Sequence, residues 1–296
     1  MTSRIAPLLE PYLTLPEDAS LVVLTGILGA STNWLVLRYL SSYLLPPSSP
    51  PPPPRPTAPP TEADPAPPAA VLLVSFLRDL PFWRDGASRL GLDLEAAGRQ
   101  GRFAFVDGLR GLFPGAVAAA PGAAAAWQSA LAGASLAHVG RVLHEAADRL
   151  REGDGDAART RAVVLVVDQL DFLLAAAGGA EEEGVGDVSA LRVRELLMGL
   201  REKVHATVLT LSADEPLIAA QATPLEQEHA NLVLGLAHEA ELVLSLRLLD
   251  TGTAKDVSGV VRITRGGQWS TRKMDEREYL YHAGGDGGVR VFVRGQ

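Results

Sequence analysis

The chain has 296 residues, 47% of them hydrophobic but only 5% aromatic, no cysteine, and a formal net charge of −8. That length holds one large domain or two small ones. The missing cysteines exclude disulfides and thiolate metal sites, and the acidic balance excludes nucleic-acid binding through a global basic footprint. Alanine, leucine and valine supply most of the apolar material, which suits a buried parallel sheet under helices better than an all-β sandwich.

At the N-terminus Arg4, Pro7, Glu10 and Pro11 precede any apolar run, which is not a secretory leader pattern. Leu21–Thr25 (LVVLT) is a short continuous apolar run closed by a glycine and reads as a buried strand. Trp34, Leu35, Leu37, Arg38 and Leu40 open a helix that fades near Leu45. The stretch from Leu21 to Leu45 is long enough to span a bilayer, but Gly26, Gly29, Ser31, Thr32 and Asn33 at its centre make strand, turn and helix the better reading. Residues 46–68 are dominated by proline, which removes donors and fixes φ, so the segment is expected to be a solvated insertion in a surface loop. As extended polyproline II it would reach roughly 70 Å.

Strands are expected at Val71–Ser75 and Phe103–Asp107, with a short helix over Phe82–Leu90 between them. Gly111–Ala126 is rich in small residues and reads as loop. Trp127–Arg151 carries a helical stripe through Leu131, Leu136, Val139, Val142, Leu143 and Leu150. Val163–Asp168 (VVLVVD) is the strongest strand signal, followed by a short helix at Leu170–Ala177 and a charged loop containing Glu181, Glu182 and Glu183. Helix Val188–Lys203, strand Ala206–Leu211 and a helix from Pro224 to His238 come next. The tail offers strands at Leu242–Leu248, Val257–Arg265 and Val289–Val293. No internal repeat is present. The pattern predicts a single α/β domain over 1–296, interrupted at 46–68: a mostly parallel sheet flanked by helices, with a C-terminal antiparallel extension.

A phosphate-binding loop reads G-x-x-x-x-G-K-[ST] between a buried strand and a helix. Here the corresponding segment is Gly26-Ile27-Leu28-Gly29-Ala30-Ser31-Thr32-Asn33. Ser31 stands for the second glycine, Thr32 for the lysine and Asn33 for the magnesium-binding hydroxyl. The lysine is the cation that meets the β- and γ-phosphates, and a threonine offers at most a neutral hydrogen bond there. Backbone amides at the helix start retain some pull on an anion, so weak nucleotide binding is compatible with the segment but efficient hydrolysis is not. Asp168 ends a strand where such proteins hold a magnesium carboxylate, and Asp107 ends another near where a water-activating acid would lie. Without the lysine both are better read as structural, capping strand ends and facing solvent or helix N-termini.

Other constellations have less support. His144-Glu145-Ala146-Ala147-Asp148 lacks the second histidine of a zinc-protease helix, and no G-x-S-x-G elbow is present. One mild basic cluster, Arg262, Arg265, Arg272, Lys273 and Arg277 near Trp269, has the composition for RNA contact. It is diluted by Asp275, Glu276 and Glu278, which favours a solvated hairpin.

Four segments carry a family resemblance: LGASTNWLVLR from Leu28 to Arg38, VSFLRDLPFWRDGASRLGLDL from Val74 to Leu94, GRFAFVDGLRGLF from Gly101 to Phe113, and VVLVVDQLDFLL from Val163 to Leu174. Together they resemble the sixth-subunit family of the Elongator complex. The resemblance implies a RecA-like fold without a working phosphate loop, no catalytic residues and no cofactor of its own. It also implies a cytoplasmic and nuclear protein that joins the fourth and fifth Elongator subunits in a ring of six chains, two copies of each. In the family that ring binds tRNA and supports wobble-uridine (U34) modification by the catalytic subunits. The competing expectation is an active nucleoside triphosphatase, which requires a substitute cation near Gly29–Thr32.

Overall fold

The computed structural model describes residues 6–45, 69–112, 125–152, 161–177, 188–249, 256–268, 274–285 and 287–293. The proline-rich insertion, most of the small-residue stretch after Gly111 and the Glu181–Glu183 loop lie outside them. Ten strands form one sheet: β1 (Ser20–Gly26), β2 (Ala70–Ser75), β3 (Phe103–Asp107), β4 (Gln128–Ala130), β5 (Val163–Asp168), β6 (Ala206–Ser212), β7 (Leu242–Arg247), β8 (Gly259–Arg265), β9 (Arg277–Ala283) and β10 (Val289–Phe292). Their order is β10-β9-β8-β7-β1-β6-β5-β2-β3-β4. From β7 to β4 all neighbours are parallel, whereas β7 through β10 pair antiparallel. A mostly parallel sheet with a C-terminal antiparallel extension is what the pattern predicts.

Strands β1, β2 and β5 are buried along their whole length because both faces are covered. Alternate residues feed separate cores. Leu21 and Val23 of β1 with Leu72 and Val74 of β2 point to one face, and Val22, Leu24, Val71 and Leu73 to the other. The first core is covered by α6 (Leu136–Arg151), α7 (Phe172–Ala177), α8 (Ala190–Arg201) and α9 (Pro224–Glu239). The second lies under α1 (Glu10–Leu13), α2 (Asn33–Leu44), α3 (Leu80–Arg89) and α4 (Leu94–Arg99). A short α5 (Leu109–Leu112) follows β3. Among the described residues no helix is long and apolar enough to cross a membrane.

Most element ends agree with the sequence reading to within two residues, but several elements depart from it. The helix expected from Trp127 begins only at Leu136. Trp127 packs on Phe103, ring centroids 5.8 Å apart, and its carbonyl accepts from the Phe105 amide at 2.9 Å. That contact draws Gln128–Ala130 into the sheet beside β3, and the backbone turns before Ser135 opens the helix. Strand β9 was not expected. Tyr279 and Tyr281 are buried on one face, while the other carries Glu278, Leu280 and His282 and the strand opens on the exposed Arg277. The charge of one face hid a period-2 pattern. Helix α4, capped by Asp93 through a 2.9 Å bond from the Ala96 amide, was also missed. So was a π-helical turn at Pro216–Ala220.

Candidate functional site

The degenerate loop sits where a phosphate loop would, between β1 and α2, but it is folded shut. The Ala30 amide donates back to the Ile27 carbonyl at 2.9 Å, closing a tight turn with Gly29 at φ +89°. The Leu28 amide donates to the Asp214 carboxylate at 2.8 Å, and the Asn33 amide to Ser31 Oγ at 3.2 Å. A phosphate loop works by aiming such donors at an anion; here two of them bond within the loop and the third is held by the Asp214 carboxylate. The pull on an anion that the helix start was expected to retain is correspondingly weakened. The Ala30 carbonyl lies over Gly26 so closely that a Cβ there would come within 2.8 Å of it.

Thr32, in the lysine position, is 1% exposed, and its hydroxyl is buried without a hydrogen-bond partner. It serves as the N-cap residue of α2 without using its side chain to cap. It therefore turns into the fold rather than out toward a ligand. Leu28 at the tip is 87% exposed.

Asp168 is two strands away from β1, with β6 between. It does not face solvent or a helix N-terminus, as its structural reading supposed. It is fully buried and accepts from Ser75 Oγ at 2.8 Å and Thr210 Oγ1 at 3.1 Å. Burial pushes its carboxyl up to about 6, with the two hydroxyl bonds and Arg78 opposing. Asp107 does match its structural reading: its carboxylate accepts from the Arg110 amide at 3.2 Å at the start of α5 and pairs with the Arg110 guanidinium at 3.2 Å.

Around Asp168 lies a polar cluster the sequence did not announce. Gln169 adopts φ +58°, a left-handed conformation unusual for a side-chain-bearing residue. Its amide donates to Thr210 Oγ1 at 2.8 Å, and its side-chain oxygen accepts from Ser212 Oγ at 3.0 Å. Asp171 is buried, with one carboxylate oxygen unpartnered and the other 4.0 Å from His229 Nδ1. His229 Nε2 lies 2.9 Å from the Ser212 carbonyl. Burial raises the Asp171 carboxyl, and the neighbouring His229 opposes that shift. These residues come from four separate elements, and the nearest sequence signal was the Asp168-x-x-Asp171 spacing.

The basic cluster is only partly described: Trp269, Arg272 and Lys273 lie outside the described residues. Arg262 is exposed on β8, opposite Glu278 of β9. The Arg265 guanidinium donates twice to the Met274 carbonyl, at 3.2 and 2.9 Å, which ties down its own hairpin. Arg277 pairs with Asp275 at 2.8 Å, and Arg247 lies 3.3 Å from Glu278. His144–Asp148 is a charged helix face: Glu145 pairs with Arg141 at 3.3 Å and Asp148 with Lys203 at 3.0 Å. Among the described residues no group of three or more histidines and carboxylates is placed to hold a metal.

Among solved structures, a KaiC-like protein from the hyperthermophilic archaeon Pyrococcus horikoshii superposes with a TM-score of 0.54 at 16% identity, over 98% of this chain and 97% of that one. The likeness is one of fold and places the sheet in the RecA-like class. The Elongator complex protein 6 of Rattus norvegicus is 26% identical over 233 residues, 76% of this chain and 80% of the rat protein. The family model described as Elongation complex protein 6 matches residues 67–283. A RecA-like sheet whose phosphate loop is closed on itself, matched along most of its length by that model, belongs to the Elongation complex protein 6 family.

Proposed function

We propose that this chain is a non-catalytic subunit of the Elongator complex. It joins the fourth and fifth subunits in a hexameric ring of RecA-like chains that binds tRNA and supports U34 modification by the catalytic subcomplex, in the cytoplasm and nucleus. Family membership supports the Elongator assignment. The observation that carries the non-catalytic part is the bond from the Leu28 amide to Asp214. A triphosphatase needs a cation at this loop, and the charged group bonded to it is a carboxylate, the wrong sign for a triphosphate. That observation also weighs against an active triphosphatase with an unusual loop. The chain's part in the ring is then to present surfaces to its neighbours, with exposed cations such as Arg262 available to RNA.

Co-expression with the fourth and fifth subunits tests this. One stable complex containing all three chains is expected, and its tRNA affinity should fall steeply as salt rises. Failure of this chain to co-purify contradicts the subunit role, and a flat salt response contradicts phosphate-based RNA binding.

A further inference from the structure

Beside the closed loop, on the outer side of α2, a cavity of about 370 Å³ opens between α2, α3 and the turn joining β9 to β10. That size is within the range of small-molecule sites, roughly 300–1,000 Å³. We propose that it binds one nucleotide of a single-stranded RNA, the base against Trp34 and Phe82 and the phosphate toward Arg38 and Arg89. The choice of RNA rests on the tRNA-binding role proposed above; the pocket itself does not.

The walls are preformed. A Cβ on Gly86 would lie 2.7 Å from Leu37 Cδ1, so α3 presses directly on α2 to make the floor. Trp34 is braced by Tyr281, ring centroids 5.0 Å apart. Phe82 is held edge-on by Trp83 at 5.3 Å yet remains 38% exposed. The Arg78 guanidinium lies 5.2 Å from the Phe82 ring centre. Arg89 reaches across to the β9–β10 turn and donates to the Gly285 carbonyl at 3.3 Å, fixing its guanidinium at the mouth.

The charge balance of the lining is opposite to that of the chain. Arg38 and Arg89 face one carboxylate, Asp85, in a protein of net charge −8. Arg38 is only 4% exposed, and burial lowers its pKa. Aromatic rings beside guanidinium groups are the elements that stack an unpaired base and hold its phosphate; a purely apolar ligand would use only half of them.

Two probes on the full-length chain test the site: a labelled single-stranded RNA hexamer and uridine 5′-monophosphate. Phe82 is exposed, so Phe82→Ala should fold, as circular dichroism would show, and weaken hexamer binding about tenfold. Arg89→Ala should reduce the salt slope of hexamer binding by about one. Unchanged hexamer binding in both folded variants overturns the site. Equal affinity for the monophosphate and the hexamer overturns the RNA assignment in favour of a free nucleotide. Co-purification of Phe82→Ala with the fourth and fifth subunits is scored separately. A variant that assembles normally with unaltered RNA affinity sinks the pocket and leaves the subunit role standing.

Discussion

Replacing Asp168 by asparagine should stabilise the protein at neutral pH. The carboxyl is fully buried, and its pKa stands at about 6 rather than an ordinary 3.8. A carboxyl whose folded pKa exceeds its unfolded one binds more protons when folded. Its contribution is therefore fully present below the unfolded value and is lost as pH rises through the folded value. Ionisation in the folded protein costs about 3 kcal/mol at pH 7, from about 1.36 kcal/mol per tenfold change in proton affinity. Asparagine resembles the protonated acid in shape and charge, and the Ser75 and Thr210 hydroxyls can turn to accept from its amide. Urea unfolding at a series of pH values gives the readout. The stability of Asp168→Asn relative to wild type should rise by about 2–3 kcal/mol between pH 4 and pH 7.5. A difference that does not change with pH, or that favours wild type more as pH rises, would refute the reasoning.

Thr210→Val removes the hydroxyl that donates to Asp168 and accepts from the Gln169 amide. It should cost about 1–3 kcal/mol in chemical denaturation, with a larger loss at pH 8 than at pH 5, where the carboxyl is more often neutral. Gly26→Ala puts a Cβ 2.8 Å from the Ala30 carbonyl and should destabilise the fold by about 1–3 kcal/mol, visible as a lower Tm. Restoring the motif with Ser31→Gly, Thr32→Lys and Asn33→Thr should not by itself create ATP binding, because Asp214 still holds the Leu28 amide. Adding Asp214→Ala should be required before calorimetry detects tight ATP binding, and tight binding by the triple variant alone would contradict the closed-loop account.

The parallel core was legible because β1, β2, β3 and β5 are continuous apolar runs bounded by glycine, serine or aspartate, buried on both faces. The loop was legible as a gap: the spacing survives while the lysine does not. Its closure was not, since Asp214 lies 186 residues from Leu28 and nothing local ties the two together. The Asp168 cluster was hidden for the same reason. Ser75, Thr210 and His229 come from β2, β6 and α9, and each is individually an ordinary polar residue. The pocket beside α2 was invisible because Trp34, Phe82 and Arg89 meet only when α3 and the β9–β10 turn fold over the helix. Strand β9, one side of that turn, was itself masked by its charged outer face.

The most direct test of the closed loop is a calorimetric titration of ATP with magnesium into the purified full-length chain, with phosphate release followed in parallel. No turnover and no tight ATP binding are expected, because the loop amides are bonded within the fold and Asp214 opposes a triphosphate. Stoichiometric binding with hydrolysis that disappears in Asp168→Asn would contradict it.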